Sequence, residues 1–208
     1  MTGRRQAGDP NDTGRAGERG QSMVEFVMLV PVFLVILMGV LEFGLAFDHL
    51  LTLSYASREG SRTGAAMADG EKLSNCADVD QYVVSSVERV LTSDGSPVRD
   101  HLADIGSIRI YKADSAGNQV GSNVNVWVPG NGPTVDGRQL HFTPSGATGW
   151  ASCGRNNAAA APDSIGVRIA YTYRAVTPLA SLLGFFGGAG SATLAMTDRS
   201  VMALNPTD

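Results

Sequence analysis

The chain has 208 residues, of which 43% are hydrophobic and 7% aromatic, and a formal net charge of −4. That length favours one domain with appendages over two full domains. The chain is acidic and its basic residues are scattered singly along the sequence after the N-terminus, with no run of Lys and Arg to neutralise phosphates, so nucleic acid is not expected as a partner.

Residues 1–20 are polar and Gly-rich, with Arg4, Arg5, Arg15 and Arg19 set against Asp9, Asp12 and Glu18. A stretch with almost no apolar surface cannot offset its own ordering entropy, so this leader is expected to be disordered. From Phe26 to Leu41 the sequence then carries no charge, and the apolar run resumes after Glu42 and continues to Phe47. Roughly 22 positions at a helical rise of about 1.5 Å cover roughly 33 Å, enough for the hydrocarbon core of a bilayer. The far side reads Phe47-Asp48-His49 and lacks the small-residue cleavage site of a secretory signal, so residues 21–47 are expected to stay as a transmembrane helix. The positive leader places the N-terminus in the cytoplasm and the rest of the chain outside it, as a single-pass protein of the cell membrane.

Residues 48–68 read as a helical extension rich in Ser, Ala and Gly. Ser54, Ser57, Ser61 and Ala65 make a stripe of small residues, and Gly60 and Gly64 form a lone G-x-x-x-G. Residues 69–208 are then expected to form an extracytoplasmic α+β domain. Asp78 to Thr92 is patterned as an amphipathic helix with Val79, Val83, Val87 and Val90 or Leu91 on one face and Asp78 or Asp80 as its cap. Asp94-Gly95-Ser96-Pro97 ends it.

The remainder reads as strands. Ile108 and Ile110 alternate with Arg109 and Tyr111, a turn follows at Ser115–Asn118, and Val124, Val126 and Val128 alternate with Asn123, Asn125 and Trp127. Residues 129–163 are rich in loop formers, with a short strand expected around Arg138–Phe142. Ile165 to Tyr173 is the clearest strand, its large apolar residues on one face, as in a half-buried antiparallel sheet. A loop from Pro178 to Gly190 leads to a last strand near 192–204.

Cys76 and Cys153 are the two cysteines. On an exported domain an even pair reads first as a disulfide, with two unrelated buried thiols as the alternative. Neither has a second ligand at metal-site spacing, and His49, His101 and His141 do not supply one. No nucleophile elbow, phosphate loop, zinc-protease helix or dinucleotide fingerprint occurs, so no catalytic residue, metal or cofactor is expected and the chain does not read as an enzyme.

At the membrane entrance Gly20 closes the charged leader, Gln21 follows, and Glu25 lies five residues after Gly20 at the start of the apolar helix. This arrangement resembles the recognition site of the prepilin peptidase in type IV pilins and pseudopilins. The resemblance implies cleavage between Gly20 and Gln21, with Glu25 pairing to the new α-amino group of a neighbouring subunit. A carboxylate at the edge of an apolar helix needs such a partner, or water. Val24-Glu25-Phe26, Pro31, Glu42-Phe43-Gly44 and the segment Ala56-Ser57-Arg58-Glu59-Gly60-Ser61-Arg62 together resemble the TadE-like family of pilus-assembly pseudopilins. That resemblance implies a minor pilin or assembly factor of a tight-adherence (Flp-type) pilus. Its partners would be the prepilin peptidase, other pilins and secretion-platform membrane proteins. It also makes Glu25, Pro31 and Glu42 candidate assembly residues. The rival reading is a membrane-anchored extracytoplasmic binding module outside any pilus.

Overall fold

The structure is a computed structural model that describes residues 12–70, 73, 75–178 and 193–205, with side chains from Gln21 onward. It is α+β, a long N-terminal apolar helix followed by a small antiparallel sheet domain. The chain divides into two units, the first ending at Phe43 and the second starting at Gly44. Helix α1 (Asp12–Met67) runs through both.

In the first unit α1 begins at Asp12, so residues 12–20 are helical where the leader was expected to be disordered. Once a helix is nucleated, each further residue adds a hydrogen bond without a new nucleus. Residues 1–11 lie outside the described residues. The helix is assigned without interruption through Pro31, whose missing N–H leaves the Val27 carbonyl without its helical donor.

The second unit contains the rest of α1, helix α2 (Val79–Leu91) and two sheets. Its strands are β1 (Ile105–Ala113), β2 (Gln119–Pro129), β3 (Thr134–Val135), β4 (Arg138–Gln139), β5 (Phe142–Ser145), β6 (Ser164–Arg174) and β7 (Thr193–Ala203). The main sheet is antiparallel throughout, in the order β5-β2-β1-β6-β7, and β3 and β4 form a separate hairpin. Where one short strand was expected around Arg138–Phe142 there are two, β4 and β5. The turn of the small hairpin is Asp136-Gly137, both at positive φ, which is the backbone a two-residue hairpin loop requires. The expected loop after Pro178 lies outside the described residues.

One face of the main sheet packs against α1 and α2. Ile165, Val167 and Ile169 of β6 and Ile108 and Ile110 of β1 are fully buried there, against Val83, Val87 and Leu91 of α2 and Leu53 and Ala56 of α1. Burying each such side chain contributes about 1.5–3 kcal/mol. Residues 48–67, set apart by the sequence as an extension, are thus part of this core. Register decides which residues of β2 join it. Ile108 pairs with Trp127 and Ile110 with Asn125, so Trp127 and Asn125 face the helices while Val124, Val126 and Val128 lie on the opposite face.

The buried Asn125 is satisfied by helix and loop together. Its amide donates to Asp80 at 2.5 Å and to the Trp150 carbonyl at 2.7 Å, and its carbonyl accepts from the Trp150 N–H at 3.0 Å. Asp80 therefore does not cap α2; it turns inward and pairs with the buried Arg155 at 2.6 Å. The cap position is held by Asp78, whose side chain accepts from Gln81 instead of the helix backbone. Beside this network Cys76, in a short turn before α2, is disulfide-bonded to Cys153 in the loop between β5 and β6. The hairpin between β1 and β2 is closed by Asp114, whose carboxylate accepts from the N–H groups of Ala116 and Asn118, with Gly117 at φ +80°.

Candidate assembly helix

In the first unit the helix is an uncovered apolar rod. From Met23 to Phe43 nearly every large side chain faces outward, Met28 at 71% and Phe43 at 74% exposure. Soluble proteins do not leave such a contiguous surface in water. A helix pairs all its backbone groups internally, so a bilayer is a solvent it can occupy. The helix is compatible with single-pass membrane anchoring.

The candidate processing and assembly residues are strung along this rod. Gly20 is helical and Gln21 begins the exposed part, so the bond between them lies inside α1. The Gln21 amide donates to Glu25 across one helical turn at 3.1 Å. Both side chains are exposed, so the carboxylate is within reach of a partner from outside the helix. Pro31 follows on the same rod, and Glu42 is about 25 Å beyond Glu25 at the helical rise. The structure does not bring these residues together; they are stations along one axis.

In the second unit the segment from Ala56 to Arg62 has two sides. Ala56, Ser57, Gly60 and Ser61 face the core. A Cβ on Gly60 would lie 2.6 Å from Val87 Cγ2 and 3.3 Å from Val167 Cγ1, and one on Gly64 would lie 2.4 Å from Ile165 Cδ1. The G-x-x-x-G is thus where α2 and β6 press against α1. Ser57 Oγ donates to the Asp198 carboxylate, and Ser61 Oγ lies 2.8 Å from the Ser200 carbonyl, so both hydroxyls reach β7. On the other side Arg58 and Arg62 are exposed, and Arg62 makes a loose surface pair with Glu59 at 3.7 Å, worth little in water.

The model of the family described as TadE-like protein matches residues 20–62. This chain carries a TadE-like segment. No curated protein and no solved structure matches the chain. The TadE-like segment begins at Gly20, takes in Glu25, Pro31 and Glu42, and ends at Arg62 inside the two-sided motif. It therefore covers the uncovered rod and the part of α1 that packs on the sheet, and stops before α2.

The remaining titratable groups sit in structural surroundings. The histidines are dispersed: His49 packs against Tyr171 and Tyr173, with ring centroids at 5.7 and 5.0 Å; His101 is 3.7 Å from Asp104; His141 meets the buried Glu88 at 2.6 Å. Burial, reinforced by the negative charge of Asp104 and eased by Arg174, pushes the Tyr171 hydroxyl up to about 12. Among the described residues no three His, Cys, Asp or Glu side chains are grouped to hold a metal. The buried Asp80–Arg155–Asn125 cluster and the Glu88–His141 pair are the polar features that periodicity could not locate. Their only sequence signal is an acidic residue on the apolar side of α2.

Proposed function

We propose that this protein is a minor pilin or pseudopilin of a tight-adherence (Flp-type) pilus system. In this reading residues 1–20 are a cytoplasmic leader, residues 21–47 span the membrane, and the remainder lies on the extracytoplasmic side. A prepilin peptidase cuts between Gly20 and Gln21, and the freed helix then packs laterally with helices of other pilins and of the secretion platform. The observation that carries the reading is the TadE-like match lying on an apolar helix whose side chains are exposed among the described residues, with an exposed carboxylate near its start. The disulfide suits an oxidising compartment.

Helical structure at the cleavage bond does not oppose processing. Gly14, Gly17 and Gly20 each weaken a helix by about 1 kcal/mol relative to Ala, so the first turns of α1 are the easiest to unwind into a protease. The test is the N-terminal sequence of the protein recovered from native membranes. A start at Gln21 supports the proposal. A start at Met1 or Thr2 in cells with an active prepilin peptidase would sink it and leave a plain membrane-anchored module.

A further inference from the structure

The face of the main sheet turned away from α1 and α2 carries an unusual row. In the register of the sheet Arg109 of β1 stands directly opposite Arg168 of β6, and Arg168 directly opposite Arg199 of β7. Val126 of β2 continues the row on the other side of Arg109, with Val124 and Val128 flanking it on the same face. The described strand residues of this face include no Asp or Glu; the carboxylate of β7, Asp198, points to the helix side through its pairing with Ile169. A fourth arginine of the face, Arg174, is engaged by Asp104 at 2.8 Å.

Like charges directly across a sheet destabilise it. No ion pair among the described residues neutralises any of the three arginines. Arg109 is exposed and has no ion pair among the described residues. Arg168 lies over the Tyr111 ring at 5.6 Å, with its Nε buried and without a hydrogen-bond partner. Arg199 is steadied by the Gly117 carbonyl at 3.1 Å and the Asn118 side chain at 3.2 Å, which uses one of its nitrogens. Arg199 and Arg168 are therefore held in place by neutral partners, which lowers the entropy lost on binding a carboxylate. A local rule broken without a neutralising carboxylate is where a functional surface is expected.

We infer that this face docks an acidic helix of a partner protein, with carboxylates one turn apart lying on the arginine row and aliphatic side chains on the valines. Strands are about 4.8 Å apart, and carboxylates three or four residues apart on a helix are about 5–6 Å apart, so the two ladders run nearly in step. Each Arg–carboxylate contact can be bidentate. The valines argue for a protein over a polyanion: a continuous polyanion would lay charge on Val124, Val126 and Val128, whereas a helix with mixed acidic and aliphatic residues covers both parts of the strip. The inference does not depend on leader cleavage or on the pilus reading.

The experiment uses the full chain in nonionic detergent and two probes, a fluorescein-labelled helical peptide with Glu and Leu on one face and labelled polyphosphate. The peptide is expected to bind saturably at low salt and to weaken steeply as the Debye length shrinks below the contact distance. Arg109→Ala, at an exposed position, should weaken it about tenfold, the loss of one charge-assisted contact. Val126→Ser should weaken the peptide and leave polyphosphate unchanged, and Arg89→Ala, on α2, should change neither. If polyphosphate binds as tightly as the peptide and Val126→Ser is silent, the face is a polyanion receptor and the inference is overturned. It is overturned equally if neither probe binds, or if Arg109→Ala leaves peptide affinity unaltered.

Discussion

Removing the carboxylate of Asp80 tests how the domain is held between α2 and the long loop. The Arg155 side chain is fully buried, its Nη2 is 2.6 Å from Asp80, and its guanidinium carbon is 4.3 Å from the centre of the Trp150 ring. Its Nε and Nη1 have no hydrogen-bond partner among the described residues. In the Asp80→Ala variant the cation stays buried without the one carboxylate that pairs with it among the described residues, and Asn125 keeps the Trp150 backbone as partner. Breaking a buried pair from one side costs about 3–5 kcal/mol, because the orphaned charge, more than the lost contact, sets the penalty. For a domain of this size that lowers the melting temperature by roughly 6–20 °C. Urea denaturation of the full chain in detergent, followed by tryptophan fluorescence with the disulfide intact, gives the free energy directly. The double variant Asp80→Leu with Arg155→Met should regain most of the loss, since an apolar pair of similar volume removes the orphaned charge and leaves only one Asn125 N–H without its acceptor. A single-variant loss below about 1 kcal/mol, or a double variant no better than the single, would refute the argument that an unpaired Arg155 is what destabilises the fold.

Four further outcomes follow from the same geometry. Replacing Cys153 by Ser removes a crosslink spanning a sequence separation of 77; loop-closure entropy puts the loss at about 4 kcal/mol, measurable by denaturation with and without reductant. Gly60→Ala should destabilise by about 1–2 kcal/mol, because the new methyl meets two stiff β-branched side chains and outweighs the gain in helix propensity; Gly64→Ala should be milder, since Ile165 can swing its terminal methyl. Stability should begin to fall above pH 10, because the unfolded chain ionises Tyr171 there while the folded chain holds its proton to about 12. Phenolate absorbance against pH should show this late titration, and Tyr171→Phe should remove it. Under the proposed function, Glu25→Gln should leave cleavage after Gly20 intact and lower co-purification with other pilins, read by N-terminal sequencing and pull-down from native membranes.

The sequence announces its apolar helix, the amphipathic α2, the hairpin turn at Ser115–Asn118 and the alternating β6 because each is a local pattern with one dominant period. The core face of β2 escapes that reading. The apolar residues of the strand are Val124, Val126 and Val128, and only the partner strand, through Ile108 and Ile110, reveals that Asn125 and Trp127 are the inward pair. The role of Asp80 escapes it for the same reason: at the first turn of a helix an acidic residue reads as a cap, and its buried partner is 75 residues away. The Asp136-Gly137 hairpin was legible in principle, and the short apolar content on either side of it hid it. The proposed membrane and processing residues rest on local sequence alone. The arginine row is a product of strand order and was not.

The first helix and the last strand meet directly: Ser57 contacts Asp198 and Ser61 contacts the backbone of Ser200, across sequence separations of 141 and 139 residues. Time therefore enters the fold. At ordinary synthesis rates that stretch of chain takes on the order of ten seconds to make. Throughout that interval Ser57 and Ser61 have been produced and their partners on β7 have not. A nascent chain halted before Thr193 would leave these two hydroxyls without their β7 acceptors, a mark by which an unfinished molecule differs from a finished one.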